Sequence, residues 1–149
     1  MKLRAEMPEL TGATEWLNDE LTREDLVGDK PTLFHFWSVS CGLCKEAMPD
    51  INEFRDEFED DLNVVAVHMP RSEKDLDMSV IKAMAMSHDI TQPIFVDNEH
   101  KLTDAFENQY VPAYYVFDEE GKLRHFQAGG GGMKMLRKRV NRVLGNEEK

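Results

Sequence analysis

Residues 32–45 read TLFHFWSVSCGLCK, and this stretch decides the fold because it leads from a strand into a helix through the chain's only two cysteines. The part up to Val39 is almost continuously apolar or aromatic, which is typical of a strand buried on both faces of a sheet. After the second cysteine, apolar residues recur with helical spacing at Ala47, Ile51, Phe54 and Phe58, which predicts a helix over 45–58. Cys41 and Cys44 therefore lie at a strand–helix junction.

The rest of the chain alternates strands with helices. Strands are predicted at 15–17, 63–69, 94–96, 113–117 and 123–128, and helices at 23–26, 76–88, 102–106 and around Leu136–Leu144. Strands separated by helices pair in parallel, whereas the short turn between the last two strands makes an antiparallel hairpin. We expect one α/β domain over 1–149, with a mixed sheet of parallel strands plus a C-terminal antiparallel hairpin, covered by helices on both faces.

Composition restricts the partners and the compartment. The formal net charge is -11, which disfavours nucleic acid and anionic membrane surfaces because both repel an acidic protein. No apolar run approaches the length of a membrane span, and the first residues do not resemble a signal peptide. We therefore expect a cytoplasmic protein without a membrane or nucleic-acid partner.

Two thiols separated by two residues at a helix N-terminus suit thiol–disulfide exchange. The attacking species is a thiolate, and the positive end of a helix lowers a thiol pKa from about 8.5 into the range of about 3.5–7.5. We expect Cys41, at the helix start, to be exposed and to attack a substrate disulfide. Cys44, about one turn further on, is expected to resolve the mixed disulfide.

Three simpler interpretations of the cysteine pair compete with a redox function. A structural disulfide would close too short a loop to stabilise much, and a reducing compartment would remove it. A zinc site usually needs four ligands, but a second cysteine pair is absent and the five histidines are scattered. Two inert thiols are the third interpretation. We favour redox activity and expect neither a metal nor a cofactor.

Several residues around the dithiol resemble the thioredoxin-like superfamily, and within it the ResA/TlpA-type branch. They are Phe36-Trp37 four positions before Cys41, the cysteine pair itself, Lys45, Pro49 five positions after Cys44, and Val111-Pro112 before the strand at Ala113. The resemblance implies that Pro112 is cis and faces the dithiol, and that the Val111 backbone pairs with a substrate strand. It also implies that Trp37 packs beside Cys41.

With this resemblance, the expected cytosolic placement argues for a thioredoxin-like reductant of protein disulfides, recharged by a flavoprotein electron donor of the thioredoxin-reductase type. We expect it to be a monomer. The sequence departs from the family pattern at Leu43, where thioredoxin has proline, and at Ala47 and His35, where relatives place acidic residues. His35 could replace the missing acid as a proton relay, since it titrates near neutral pH. A hydrogen-bonded core histidine is the competing interpretation.

Two other classes of function use the same fold. Ser38 and Cys41 match the Ser/Thr-x-x-Cys part of a peroxiredoxin signature, although Phe34 replaces its proline. A peroxiredoxin-like peroxidase would consume peroxide through Cys41 alone. A non-enzymatic peptide-binding or chaperone module would keep its function when both cysteines are replaced.

Overall fold

Six strands form one mixed sheet in the computed structural model, which describes residues 1–146. The strands are β1 (Glu15–Leu17), β2 (Thr32–Trp37), β3 (Asn63–His68), β4 (Ile94–Val96), β5 (Ala113–Phe117) and β6 (Leu123–Ala128). Their order is β1-β4-β3-β2-β5-β6. β2, β3 and β4 are parallel, and β5 and β6 form the predicted antiparallel hairpin. The mixed sheet is confirmed, and β1 adds a further antiparallel strand at the opposite edge.

In the described part of the chain, four α-helices and one short 3₁₀ turn connect the strands, and a fifth α-helix follows β6. The helices are α1 (Arg23–Leu26), α2 (Gly42–Glu57), α3 (Met78–Ser87), α4 (Lys101–Phe106) and α5 (Met133–Val143), and the 3₁₀ turn spans Glu73–Leu76. The predicted helix over 76–88 is thus divided, because Asp77 has an extended backbone and caps α3 through its bond from the Ser79 N–H. Among the described residues, no helix is long and apolar enough to cross a membrane.

The helix after the dithiol begins earlier than its apolar spacing predicts. It was expected from residue 45, but α2 starts at Gly42 with Cys41 as its N-cap. The backbone of Cys41 is extended, and its sulfur accepts the Cys44 N–H, so the cysteine takes the role that a serine or aspartate usually has at this position. Both cysteines consequently belong to the helix terminus itself.

Strand β2 positions the site because it is central and buried along its whole length. Its side chains alternate between the two faces of the sheet. Phe34 and Phe36 pack with α1 and α4 in one cluster, whereas Leu33 and Trp37 belong to clusters formed with α2, α3 and α5. Helices therefore cover both faces, as predicted, and α2 lies over the face that carries His35.

Candidate functional site

A disulfide joins Cys41 and Cys44 at the N-terminus of α2, with their Cα atoms 5.3 Å apart. The Cys44 N–H donates to the Cys41 sulfur at 3.0 Å. It is one of the N–H groups at the helix start that lack a carbonyl partner within the helix. The same N–H and the positive end of the helix would stabilise a thiolate on Cys41 after reduction.

The expectation that Cys41 is exposed was wrong for this disulfide form. Cys41 is only 3% exposed and Cys44 2%. The reason is that the Cys41 sulfur is turned towards Cys44 and packs in one apolar cluster with Trp37 and Val39. The exposed residues of the motif are instead Gly42 and Leu43, of which Leu43 is 51% exposed.

The surface next to the dithiol is built from distant parts of the chain. The Val111–Pro112 peptide bond is cis, as the resemblance implied, and the half-buried Val111 packs against the cluster that contains both cysteines. The Gly129 N–H donates to the Pro112 carbonyl at 2.8 Å. A Cβ placed on Gly130 would lie 3.2 Å from the Leu43 Cδ2. The glycine segment therefore connects the proline to the exposed centre of the dithiol motif.

Trp37 lies in the same cluster as Cys41 and Cys44, as expected. It is 1% exposed, so its ring supports this surface from beneath. Its ring also packs edge-on against the His68 ring, with the centroids 4.9 Å apart. Trp37 thereby links the dithiol to the end of β3.

His35 is buried and hydrogen-bonded to Gln92, with 2.8 Å between His35 Nε2 and Gln92 Nε2. Arg55 donates to the Gln92 Oε1 at 2.9 Å. Since Arg55 can only donate, the amide nitrogen of Gln92 must face His35, and His35 Nε2 must accept. Burial, and then the Arg55 charge, lower the pKa of His35 to about 3. The ring is thus neutral, and its Nε2 accepts a hydrogen bond from Gln92, which is itself oriented by Arg55.

His68, at the end of β3, is a second buried histidine, and the sequence analysis did not single it out. Its Nε2 accepts the Val39 N–H at 3.2 Å, so it touches the segment that leads into Cys41. Burial lowers its pKa to about 4, against a smaller opposing effect of the Asp75 charge. The buried Nδ1 of His68 has no hydrogen-bond partner among the described residues. In register, His68 lies opposite Trp37.

A polar network missed by the sequence analysis also holds this segment. Asp75 Oδ2 accepts from the Ser38 and Ser40 hydroxyls, each at 2.8 Å, and from the Arg71 N–H at 2.9 Å. Burial alone would raise the pKa of Asp75, but these hydrogen bonds outweigh it and lower the pKa. One available signal was that parallel strands end at the same edge of the sheet, so residues after β3 lie beside those after β2.

Sheet order, dithiol and cis-proline together define a thioredoxin-like protein with a disulfide-forming dithiol at the N-terminus of its second helix. In the described range 1–146, no group of three or more His, Cys, Asp or Glu side chains is arranged to hold a metal ion. The arrangement can carry two electrons between a dithiol and a disulfide.

The chain belongs to the AhpC/TSA family, whose model matches residues 3–126. It is 74% identical over 148 residues to the thiol-disulfide oxidoreductase YkuV of Bacillus subtilis, covering 99% of this chain and 100% of that protein. A solution structure of a thioredoxin-like protein in the oxidized form has a TM-score of 0.91 and 74% identity, and the match covers 99% of this chain and 100% of that one.

More distant relatives support the fold. The thioredoxin-like protein YneN of Bacillus subtilis is 30% identical, with 75% of this chain and 64% of that protein covered. A crystal structure of the thioredoxin-like superfamily protein SPOA0173 has a TM-score of 0.84 at 24% identity, and covers 97% of this chain and 99% of that one. The thioredoxin-like fold is confirmed, and the chain is a thiol-disulfide oxidoreductase.

Proposed function

We propose that this oxidoreductase is a cytosolic reductant of protein disulfides, with Cys41 as the nucleophile and Cys44 as the resolving thiol. One observation carries these roles: the N–H at the start of α2 donates to the Cys41 sulfur, at 3.0 Å, and not to that of Cys44. A thiolate is stabilised best where such a donor and the helix terminus converge. Cys41 is therefore the better nucleophile and the better leaving group of the pair.

The exchange proceeds in two displacements. The Cys41 thiolate attacks one sulfur of the substrate disulfide, so that a Cys41–substrate disulfide forms and the other substrate sulfur leaves as a thiolate. The Cys44 thiolate then attacks the Cys41 sulfur and releases the second substrate thiolate. The substrate gains two electrons and takes up two protons, and the chain ends as the Cys41–Cys44 disulfide.

The surface beside the dithiol supports a peptide substrate in this proposal. The half-buried Val111 and the exposed Leu43 flank the cysteines. A substrate strand would pair with the backbone of Val111 beside Pro112, over the buried Trp37. The reduced state would be restored by a flavoprotein electron donor of the thioredoxin-reductase type. We propose a monomer with one domain over 1–149, of which residues 147–149 lie outside the described range.

The C44S variant tests the proposed roles, because a mixed disulfide on Cys41 then has no resolving thiol. We expect a protein with an accessible disulfide to remain covalently bound to C44S, and to be released by a small-molecule thiol. The C41S variant is the matched control and should trap much less. Equal trapping by both variants, or none by either, would contradict the assignment.

A peroxidase is the second candidate function, favoured by the match to the AhpC/TSA family and by Ser38 three residues before Cys41. The Ser38 hydroxyl donates to Asp75 in this structure. Peroxide consumption by the C44S variant separates the two functions. Turnover that persists without Cys44 would support a peroxidase, whereas trapped substrate without peroxide turnover would support the reductant.

The reduction potential of the Cys41–Cys44 couple against glutathione tests the direction of exchange. A potential near that of thioredoxin, about -270 mV, would support a reductant, and one near that of DsbA, about -120 mV, would support an oxidant. A peptide-binding or chaperone module would retain its activity in a variant that lacks both cysteines. Loss of all activity in that variant would exclude this third class.

A further inference from the structure

The segment Ser38–Ser40, which leads into Cys41, is fixed by residues that follow β3. Asp75 is 2% exposed, and a single oxygen of its carboxylate accepts the hydroxyls of Ser38 and Ser40. The Cys41 N–H closes a turn by donating to the Ser38 carbonyl at 3.0 Å. The position of Cys41 therefore depends on a part of the chain that is separate in sequence from the dithiol motif.

Arg71 makes the most direct of these contacts. Its Nη2 donates to the Ser40 carbonyl at 2.7 Å, and Nη2 and Nε lie 3.1 and 3.2 Å from the Ser40 hydroxyl. The Ser40 carbonyl belongs to the peptide group whose nitrogen is that of Cys41. Nη2 thus holds the carbonyl of the nucleophile's own peptide, while Nη2 and Nε together contact the Ser40 hydroxyl, a two-nitrogen geometry that a lysine cannot reproduce.

The Arg71 guanidinium lies beside the peptide that joins Ser40 to Cys41. Within residues 1–146, no carboxylate forms an ion pair with this guanidinium inside 4.0 Å. The other titratable groups that contact the turn are Asp75, which accepts the Ser38 and Ser40 hydroxyls, and His68, which accepts the Val39 N–H.

We propose that Arg71 is a positioning residue for the dithiol, whose guanidinium fixes the Ser40–Cys41 peptide and stabilises the Cys41 thiolate of the reduced protein. The proposal rests on the function proposed above, in which Cys41 is the nucleophile. An opposite charge favours an ionised group nearby, and exposure to solvent weakens that effect without removing it. Arg71 thus adds a positive charge from a neighbouring loop to the positive end of α2.

This role has a consequence for the redox couple. A stabilised thiolate favours the reduced dithiol, so that Arg71 makes the disulfide easier to reduce. Removing the charge should raise the pKa of the Cys41 thiol and make the couple more reducing. It should also slow attack on disulfides below that pKa, where the thiolate is scarce.

The thiolate titration of Cys41 tests the proposal in the full chain with Cys44 replaced by serine. In R71Q we expect the pKa of Cys41 to rise by about half a unit to one unit at low ionic strength, followed by the ultraviolet absorbance of the thiolate and by the pH profile of alkylation. R71K keeps the charge but loses the two-nitrogen contact with Ser40. Its Cys41 pKa should lie at least halfway back from the R71Q value to the parent value. High salt should shrink the difference between R71Q and the parent.

Two variants separate charge from architecture. R124Q removes a positive charge that is paired with Asp118 on the β5–β6 hairpin, and should leave the Cys41 titration unchanged. S40A removes a hydroxyl contact but keeps the Arg71 charge and its bond to the Ser40 carbonyl, and should move the titration less than R71Q. Equal titration of R71Q, R124Q and the parent would overturn the role of Arg71.

Substrate trapping by C44S and the thiolate titration of R71Q test the proposed function and the role of Arg71 separately. If C44S traps no substrate although R71Q shifts the Cys41 titration, the proposed function fails and the effect of Arg71 on the Cys41 thiolate stands. If C44S traps substrate but R71Q titrates like the parent, the function stands and the inference is wrong. An ordinary thiol pKa for Cys41 in the parent would also overturn the inference.

Discussion

Two histidines on neighbouring strands are similarly buried but accept hydrogen bonds from different parts of the chain. His35 in β2 is 2% exposed and His68 in β3 is fully buried. Burial is the main cause of a lowered pKa at both, to about 3 and about 4. The two histidines differ in the group that donates a hydrogen bond to Nε2. His35 accepts from Gln92, a side chain on the α3–β4 connection, whereas His68 accepts from the backbone of Val39 beside the dithiol.

Burial and a shifted pKa therefore do not identify a functional histidine by themselves. At His35, the chain from Arg55 through Gln92 occupies the lone pair that a proton relay would have to use. At His68, the same type of acceptor nitrogen orders the turn that carries Cys41. We therefore expect the first ring to support the fold and the second to support the reactivity of the dithiol.

Acidification should give the largest change in the free energy of unfolding, and both histidines should contribute to it about equally. The unfolded chain protonates them near pH 6.5, but the folded chain only near pH 3 and 4, so stability falls as the pH drops through this window. Between pH 7 and pH 5 each ring should cost about 2 kcal/mol of unfolding free energy, or about 4 kcal/mol together. Urea unfolding at the two pH values measures this loss.

The matched variants divide that loss between the two rings. H35A and H68L should each remove about 2 kcal/mol of the pH dependence between pH 7 and pH 5. The pKa of the Asp75 carboxyl is lowered from 3.8, so its stabilising effect is complete above that value and is lost only at lower pH, outside this window. An unfolding free energy that does not change over this range would show that neither ring is held neutral by the fold.

Removing His35 should have the next largest effect, on stability alone. H35A leaves a cavity under α2 and takes the hydrogen-bond partner from the buried Gln92, which should cost about 3 kcal/mol at pH 7. The pH profile of disulfide exchange, measured on the fraction that remains folded, should not change. A profile that loses an ionisation in H35A would support His35 as a proton relay and contradict a purely structural role for it.

Removing His68 should have the smallest effect on stability and the larger effect on exchange. H68L keeps most of the volume but leaves the buried Val39 N–H without an acceptor, at a cost of about 1–2 kcal/mol. The rate at which Cys41 is alkylated should fall because the preceding turn is less ordered. If H35A and H68L slow alkylation equally, the two regions are not functionally distinct.

The sequence was informative wherever a local pattern decides the structure. The apolar run of β2 and the short turn between β5 and β6 predicted those elements with nearly the right bounds, since burial and turn length act over a few residues. The thioredoxin-like motif predicted the cis bond before Pro112 only through the resemblance. The apolar spacing alone placed the start of α2 too late, at residue 45, because Cys41 caps the helix with sulfur, which no common capping preference indicates.

The supporting network could not be predicted in the same way. Asp75 and Arg71 are unremarkable in a chain with 29 acidic and 18 basic residues, and only the pairing of β2 with β3 brings them to Ser38 and Ser40. The burial of Cys41 was missed for a related reason. The sequence places it at a helix start, but the disulfide and the cluster around Trp37 turn its sulfur inward.

The contact between Leu43 and Gly130 has a consequence for protein engineering. Residue 43 belongs to the dipeptide that separates the two thiols, and a Cβ at position 130 would lie 3.2 Å from its side chain. The dipeptide between the cysteines therefore cannot be exchanged independently of its surroundings, because any new residue at position 43 must pack beside Gly130. Libraries that tune this oxidoreductase should vary positions 43 and 130 together, as a single steric unit.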